Sequence, residues 1–289
     1  MTTAARRRAA RAAALALLTA VAVGGARSAH AQGGEGRLSF SMGIDTSNAY
    51  FFRGIKQERS GLIVQPYADV SADLLGAGNE SLSSLTLTVG QWNSLHSGPS
   101  GAGTSGRTTA MWYESDFFTG LTFGSDTLTA GVTYTSYLSP NDSFGTVQEV
   151  SLALSLDDSD RLLIPLQPHV GLAVELSGQA DGGQSEGTYF ELGIEPGLDL
   201  IAERASIGFP ATLGLSLHHY YEDGGDHNDV FGYFDLGAVA TLRLGMPEAA
   251  GTWTISAGVH LLALGDYLRV LNDGDKLQAV GAVGVNIAY

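Results

Sequence analysis

Cysteine is absent from this sequence of 289 residues, which excludes disulfide bonds, a thiol nucleophile and a cysteine-based metal site. Charged side chains are scarce at 16%, whereas hydrophobic ones reach 44%, a balance opposite to that of disordered chains. Glycine is common, with 39 residues, but it does not recur at every third position, so a collagen-like helix is excluded. The composition is that of a folded protein without covalent cross-links.

Long apolar runs are also missing, because no stretch after residue 32 approaches the roughly 20 residues of a membrane helix. The first 31 residues are typical of a secretory signal peptide. Arginines at positions 6, 7, 8 and 11 precede a short apolar stretch at 12–23, and Ala29-His30-Ala31 fits the cleavage rule for small residues. Twin-arginine export is the alternative, although the apolar residues expected after the arginine pair are missing. We expect a signal peptide at 1–31 and one domain at 32–289.

Basic side chains become scarcer still once the signal peptide is removed. It contains five arginines and no acidic residue, so the remaining chain has 10 basic residues against 30 acidic ones, a formal net charge of −20. A nucleic acid needs a basic surface to neutralise its phosphates. We therefore expect no nucleic-acid partner.

What the sequence does contain is alternation of apolar and polar residues with period two, clearest at 166–176 and 190–200. Most alternating segments span about 10–15 residues, whereas strands of soluble proteins have a mode near 5–6. A tilted membrane strand needs about 9–11 residues in the hydrocarbon. We predict twelve strands, at 37–50, 60–75, 82–94, 110–124, 126–139, 146–157, 165–177, 187–201, 206–219, 230–244, 251–264 and 278–289.

The connections between these segments alternate between long polar loops and short turns, which is typical of outer-membrane barrels. The last strand ends on Tyr289, and such a terminal aromatic strand resembles the C-terminal signature of bacterial outer-membrane proteins. We therefore predict an all-β fold, a transmembrane antiparallel up-and-down β-barrel of about twelve strands with both termini on the periplasmic side. A soluble β-sandwich with an export signal is the alternative, since it also has alternating strands.

In a membrane barrel the apolar face of each strand contacts lipid and the polar face points inward. This rule predicts an acidic interior, to which Glu149 contributes, and it also places Trp112, His169, His218 and His260 inside. A hydrated lumen that favours cations follows, because like charges need water or counter-ions to screen them. Alternatively, the acids only satisfy a polar interior. The pore-lining candidates are Asp45, Asp69, Asp73, Glu114, Asp116, Glu175, Glu191, Glu195, Asp199, Asp235 and Arg243.

The stretch 43–57 follows the first strand into its loop. We expect Tyr50, Phe51 and Phe52 in an interfacial aromatic girdle, Arg53 at headgroup level or at the pore mouth, and Gly54 in the turn. The run Ser-x-x-Tyr-x-Phe-Arg-Gly-Ile at 47–55, followed by an apolar-Gln pair at 64–65, resembles the N-terminal segment of the TorF-like porin family. The resemblance covers about a tenth of the chain and implies an outer-membrane location and a porin role. It supplies no catalytic residue.

The segment 218–229 is rich in histidine and aspartate, residue types that bind metal ions. Asp223, Asp226 and Asp229 are the candidates, but their spacing does not match an EF-hand. A solvated acidic loop is the alternative, and it is the interpretation we adopt. We therefore expect no metal site and no cofactor.

Three functions are considered, of which the first is the one we predict, and we expect no enzymatic activity. The first is passive diffusion through a narrow pore, with the loop at 97–106 as the segment that could fold inside. The second is a non-conducting structural or adhesive barrel whose loops bind divalent ions and lipopolysaccharide. The third is a lipid-modifying enzyme that would need His169, His218 or His260, although no Gly-x-Ser-x-Gly motif is present. The expected partners are outer-membrane lipid, lipopolysaccharide and the barrel-assembly machinery, and the oligomeric state stays open.

Overall fold

The computed structural model describes residues 37–75, 82–98, 100, 111–162, 164–202, 204–222 and 228–289. The signal peptide predicted at 1–31 lies outside these residues. The chain forms a closed, antiparallel barrel of twelve spans in which each span pairs with its neighbours along the sequence. The predicted all-β barrel of about twelve strands is confirmed.

Ten spans are single strands and two are interrupted. The single strands are β1 (Leu38–Ser47), β4 (Ile63–Asp73), β5 (Ser84–His96), β6 (Trp112–Gly124), β7 (Leu128–Leu138), β8 (Val147–Leu156), β9 (His169–Ser177), β14 (Phe231–Arg243), β15 (Thr252–Leu264) and β16 (Leu277–Ala288). The interrupted spans are β10 (Thr188–Ile194) with β11 (Gly197–Ile201), and β12 (Ala205–Gly208) with β13 (Ala211–His218).

The two interruptions lie at prolines, which have no backbone N–H to donate to the ladder. Pro196 separates β10 from β11, and Pro210 separates β12 from β13. The breaks are side by side, because the Phe209 N–H donates to the Pro196 carbonyl at 2.8 Å. The wall therefore stays continuous past both prolines.

The barrel closes where the first and last strands meet. β1 pairs with β4 on one side and with β16 on the other, in a register that sets Ser41 opposite Ala288. Two backbone hydrogen bonds between Phe40 and Tyr289, at 2.8 and 3.0 Å, extend the ladder to the last residue. Among the described strands of the wall, only β11 has a partner strand on one side alone, so closure leaves almost no free strand edge.

The polarity of the wall is inverted relative to that of a soluble protein. Along β16, Val283, Val285 and Tyr289 are 50%, 38% and 49% exposed, whereas the alternate residues Asn286 and Ala288 are buried. The same alternation exposes large apolar side chains around the barrel, including Ile44, Val89, Leu121, Leu236 and Leu261. An apolar outer band around a polar interior is the arrangement of a membrane-spanning barrel.

The two ends of the barrel differ. The end that we call the turn end has both termini, and the opposite end, the loop end, has the connections after β1, β5, β7, β9, β13 and β15. The lengths alternate less sharply than the sequence suggested, because the loop-end connection 139–146 has eight residues while the turn-end connection 157–168 has twelve. The distinguishing feature of the loop end is instead that its segments fold inward.

Two elements at the loop end do not belong to the wall, a buried hairpin and a helix of which only Leu268 is buried. A hairpin of β2 (Tyr50–Phe52) and β3 (Ile55–Glu58) forms its own two-stranded sheet, and the helix α1 (Asp266–Leu271) packs against it. None of the helices formed by the described residues is long and apolar enough to cross a membrane. The packed core of the molecule therefore lies between the hairpin and the inner wall.

A β-bulge corrects one side assignment in β6. Ser94 is opposite Glu114 and Leu95 is opposite Trp112, so Tyr113 is the extra residue. Glu114, Asp116 and Phe118 are buried as predicted, but Trp112 is 46% exposed on the outer face and Tyr113 is buried instead. The prediction for Trp112 was wrong because a bulge shifts the alternation by one residue.

The inverted polarity of the wall predicts that the cost of a charged substitution depends on its depth in the membrane. Val283→Lys places a charge near the middle of β16 on its lipid face, and we expect a loss of about 2–4 kcal/mol in the free energy of unfolding in vesicles. Leu277→Lys, on the same face but at the strand end, is the matched control and should cost about 0–1 kcal/mol. Denaturant titration in phospholipid vesicles measures both, and equal costs would contradict a lipid-facing β16.

Candidate functional site

The hairpin turns through Arg53 and Gly54, whose φ angles are 47° and 80°. Positive φ at both central residues is the signature of a type I′ turn, which matches the twist of a two-residue hairpin. Gly54 is required for a second reason, since a Cβ there would come within 2.5 Å of the Leu268 side chain of α1. The turn expected at Gly54 is present, but it points into the barrel.

The aromatic residues of the hairpin are buried inside the barrel and do not form an interfacial girdle. Tyr50, Phe51 and Phe52 are 2%, 1% and 5% exposed. Phe51 and Ile55 belong to one apolar cluster of the inner wall, whereas Tyr50 and Phe52 belong to another. The girdle prediction was wrong because aromatic residues after a strand suit a lipid interface and an inward-folded plug equally well.

Arg53 lies at the centre of this interior, where it is 2% exposed. Its guanidinium makes a bidentate ion pair with Glu149, with Nη1–Oε2 and Nη2–Oε1 distances of 2.6 and 2.9 Å. Nη1 also donates to the Tyr220 hydroxyl at 2.8 Å, and the guanidinium lies 4.3 Å from the ring centroid of Tyr189. The expected position at headgroup level or at the pore mouth is therefore corrected to the barrel interior.

Further bonds hold the rest of the hairpin. The Tyr221 hydroxyl donates to the Arg53 carbonyl at 2.8 Å, and the Tyr50 hydroxyl donates to Glu114 at 3.0 Å. Outside the interior, Lys56 and Arg59 form ion pairs with Asp273 at 2.9 and 2.8 Å. The hairpin is thus tied both to the wall and to the segment that follows α1.

Six of the expected interior carboxylates are buried near the loop end: Glu114, Asp116, Glu149, Glu175, Glu191 and Asp235, each at most 7% exposed. Hydrogen-bond donors reach most of them. The Tyr189 hydroxyl donates to Glu191 at 2.8 Å, and His260 Nδ1 lies 2.7 Å from Asp235 Oδ2. One oxygen each of Asp116, Glu191 and Asp235 is buried without a hydrogen-bond partner. Arg53 is the buried arginine among them, so buried carboxyl groups outnumber buried guanidinium groups.

The remaining pore-lining candidates are more accessible. Asp45 and Asp69 on β1 and β4 are half-buried, as are Asp73 and Glu195, whereas Asp199 and Arg243 are exposed. In the part of the chain that the structure describes, none of these six takes part in an ion pair. The lumen therefore has a packed loop end and a more open stretch lined by unpaired acids.

The loops around the hairpin are held by buried acids of their own. Asp181 accepts the backbone N–H groups of Glu222 and Gly183 at 3.0 and 2.7 Å. Burial raises the pKa of Asp181 to about 6, although these backbone hydrogen bonds act in the opposite direction. Glu222 in turn accepts the N–H of Ser185 at 2.8 Å. The two loops 178–187 and 219–230 are thereby joined above the hairpin.

No metal centre forms among the residues described here, since they contain no group of three or more potential ligands. Asp223 and Asp226 lie outside the described residues. The third candidate, Asp229, accepts the backbone N–H of Tyr267 at 2.8 Å.

The three candidate histidines do not form a nucleophilic site. His169 lies against Gly193 on the inner wall, and His260 is bound to Asp235. His218 is exposed, not inward as predicted, because the register of β13 shifts by one residue at Leu217. No hydroxyl of a described serine forms a hydrogen bond with any of the three.

A serine–histidine contact occurs instead at a residue that the sequence did not single out. His96 lies 2.7 Å from Ser94 and 2.6 Å from Ser100, and Ser100 donates to Glu58 at 3.3 Å. Ser94 and His96 are 0% and 1% exposed, so no substrate reaches them. This network anchors the end of β3. Ser100 also belongs to the loop 97–106 that was the predicted plug, most of which lies outside the described residues.

No family model matches the chain, and no curated protein matches it. Among solved structures, an outer-membrane channel from Pseudomonas putida F1 is 11% identical over 90% of this chain and 98% of that chain, with a TM-score of 0.51. The translocator domain of the autotransporter NalP from Neisseria meningitidis is 14% identical over 89% of each chain, with a TM-score of 0.44. At such identities the likeness concerns the fold alone. The chain has the closed β-barrel fold of an outer-membrane channel.

The buried ion pair predicts a large asymmetry between single and double substitutions. Arg53→Met leaves Glu149 buried without its cation, and we expect a loss of about 3–5 kcal/mol in unfolding free energy. The double variant Arg53→Met/Glu149→Leu should recover more than half of that loss, because it removes the unpaired charge.

Lys56→Met is the control, since its partner Asp273 is 62% exposed. We expect it to cost at most about 1 kcal/mol. Denaturant unfolding in vesicles compares the four proteins. Equal effects of Arg53→Met and Lys56→Met would contradict the central role of the buried pair.

Proposed function

We propose that this chain is a porin-like outer-membrane barrel that passes small hydrophilic solutes and ions by passive diffusion, with a preference for cations. The excess of carboxylates over cationic side chains on the inner wall carries the proposal. A row of fixed negative charge in a narrow, partly desolvated path attracts cations and repels anions. The location in the outer membrane rests on the apolar outer band together with the predicted signal peptide.

The resemblance of residues 47–55 to the TorF-like porins supports the same function. In this chain the segment forms the hairpin, so its residues serve the interior of the barrel. Gly54 makes the turn and Arg53 supplies the cation that binds Glu149. We propose membership of that family on these residues. Lipopolysaccharide and the barrel-assembly machinery are the partners that an outer-membrane location implies.

A non-conducting structural or adhesive barrel is the second candidate, and the hairpin favours it. Aromatic side chains on both faces of the hairpin pack against the inner wall at the loop end. A barrel filled in this way could serve as a rigid platform for its loops. Conductance measurements distinguish the two functions.

Selectivity tests the first proposal. In a planar bilayer with a KCl gradient, we expect a reversal potential of the sign that indicates K⁺ over Cl⁻. Asp45, Asp69 and Asp73 are half-buried and take part in no ion pair within the described structure. Their combined replacement by Asn should lower the ratio of K⁺ to Cl⁻ permeability several-fold, because the path then has fewer fixed negative charges that attract cations and repel anions.

Asp126→Asn, in the exposed turn between β6 and β7, is the matched control and should leave the ratio unchanged. Anion preference of the original protein would contradict the proposal. So would an unchanged ratio in the triple variant.

The position of the hairpin inside the lumen leads to a prediction about the single-channel conductance. Replacing residues 51–58 by a glycine-serine linker removes the hairpin from the lumen, and we expect the single-channel conductance to rise several-fold over that of the original chain. If neither protein conducts although both are folded, passive diffusion is wrong and the structural barrel is favoured.

A further inference from the structure

The outer face of the barrel carries a group of uncharged polar side chains near the loop end of β5–β8. We call it the amide patch, and it consists of Gln91, Asn93, Ser115, Ser136 and Gln148. The strand registers make these residues neighbours, because Asn93 is opposite Ser115 and Ser136 is opposite Gln148. All five occupy outward positions of their strands, where most of the wall is apolar.

Two residues of the amide patch lie as far along their strand as lipid-facing apolar residues do on the other side of the barrel. Gln91 and Asn93 lie seven and nine residues from the turn end of β5. The residues at the same distances on β15 are Val259 and Leu261, which are 61% and 58% exposed. An amide that faces acyl chains without hydrogen-bond partners is costly, since lipid tails neither donate nor accept.

Hydrogen bonds within the amide patch satisfy only part of it. The Gln91 amide donates to Asn93 at 3.2 Å and to Ser115 at 3.0 Å, and the Trp112 indole donates to Asn93 at 3.2 Å. Within the described residues, the Gln91 Oε1, the Ser136 hydroxyl and the Gln148 amide have no hydrogen-bond partner. These groups need a partner from outside the barrel.

A recess of about 520 Å³ adjoins the amide patch. Gln91, Ser115, Phe117 and Leu138 line it from the strands, and the connection between β7 and β8 covers it from above. Trp112 lies at its rim with 46% of its surface exposed. The same wall therefore presents both a projecting aromatic side chain and a depression.

We propose that this wall is the docking face for a second copy of the chain, related by a two-fold axis. An isologous interface must be self-complementary, and a projection beside a recess on one surface meets that condition. Amide side chains meet it too, because each one both donates and accepts.

Charge favours the same occupant. The outward positions of β5–β8 have no charged side chain, and Asp142 is the one acidic residue among those that line the recess, so the amide patch itself adds no repulsion between two copies of a strongly acidic protein. A second copy also supplies hydrogen-bond groups at the depth of the hydrocarbon, which acyl chains cannot do. The sugar of a glycolipid is the competing occupant, and the experiment below distinguishes it from a second copy of the chain.

The absence of cysteine makes the test direct, because one introduced cysteine is then unique. Ser136→Cys lies in the amide patch, and Val259→Cys on the opposite wall is the matched control. Both proteins are folded into dilute phosphatidylcholine vesicles without lipopolysaccharide and oxidised. We expect about tenfold or more covalent dimer for Ser136→Cys than for Val259→Cys.

Equal yields or no dimer would overturn the proposal. Dimer that forms only after lipopolysaccharide is added would also overturn it, in favour of a glycolipid-mediated contact.

A second measurement does not depend on cross-linking. Subunit counting by single-molecule photobleaching in the same vesicles should give two copies for the original chain and mainly one for Gln91→Leu/Gln148→Leu. Thr46→Val is the control, since Thr46 faces outward away from the amide patch and donates to the Ile63 carbonyl at 2.8 Å. Heat-dependent gel mobility verifies that each variant is folded. An unchanged dimer fraction in the leucine variant would refute the assignment of the interface.

Discussion

Inside a bilayer the backbone amides and carbonyls of a strand find no water, so each strand must pair on both sides. This constraint determines the architecture, because the requirement is met only when β1 pairs with β16 and the sheet becomes a ring. The interruptions at Pro196 and Pro210 are adjacent and a backbone hydrogen bond joins them, so that among the described wall strands only β11 has a partner on one side alone. Once the ring is closed, every strand has one face in lipid and one face away from lipid, and the inverted polarity follows.

Closure creates a second problem in the interior, where six carboxylates are buried near the loop end. Water would normally solvate them, but the hairpin occupies much of that space. It supplies the missing groups itself, with one guanidinium on Glu149 and the Tyr50 hydroxyl on Glu114. The hairpin thus replaces solvent for the charged side chains that it covers, which explains why an arginine is tolerated among tyrosine and phenylalanine rings.

Most of the wall could be predicted from the sequence, because alternation is a local signal and it recurs in every span. The lipid face of β16 and the burial of Glu114, Asp116 and Asp235 follow from it directly. The bulge at Tyr113 could not be predicted, since one extra residue in a strand leaves no compositional mark.

The hairpin was missed for a different reason. The contact of Arg53 with Glu149 spans 96 residues, and no local pattern connects them. A run of aromatic residues after a strand can lie at the lipid interface or fold into the barrel, and the local sequence favours both placements equally. Only the shape of the enclosed space decides between them. The one available signal was the Arg-Gly pair between two short apolar runs, which suits a tight two-residue hairpin.

The position of the hairpin in the chain has a consequence for the order of assembly. It follows β1 directly, but the tyrosines that hold its turn, Tyr220 and Tyr221, lie 167 and 168 residues further along. The hairpin therefore cannot complete these contacts until the segment after β13 has been synthesised, although it is the first loop of the chain.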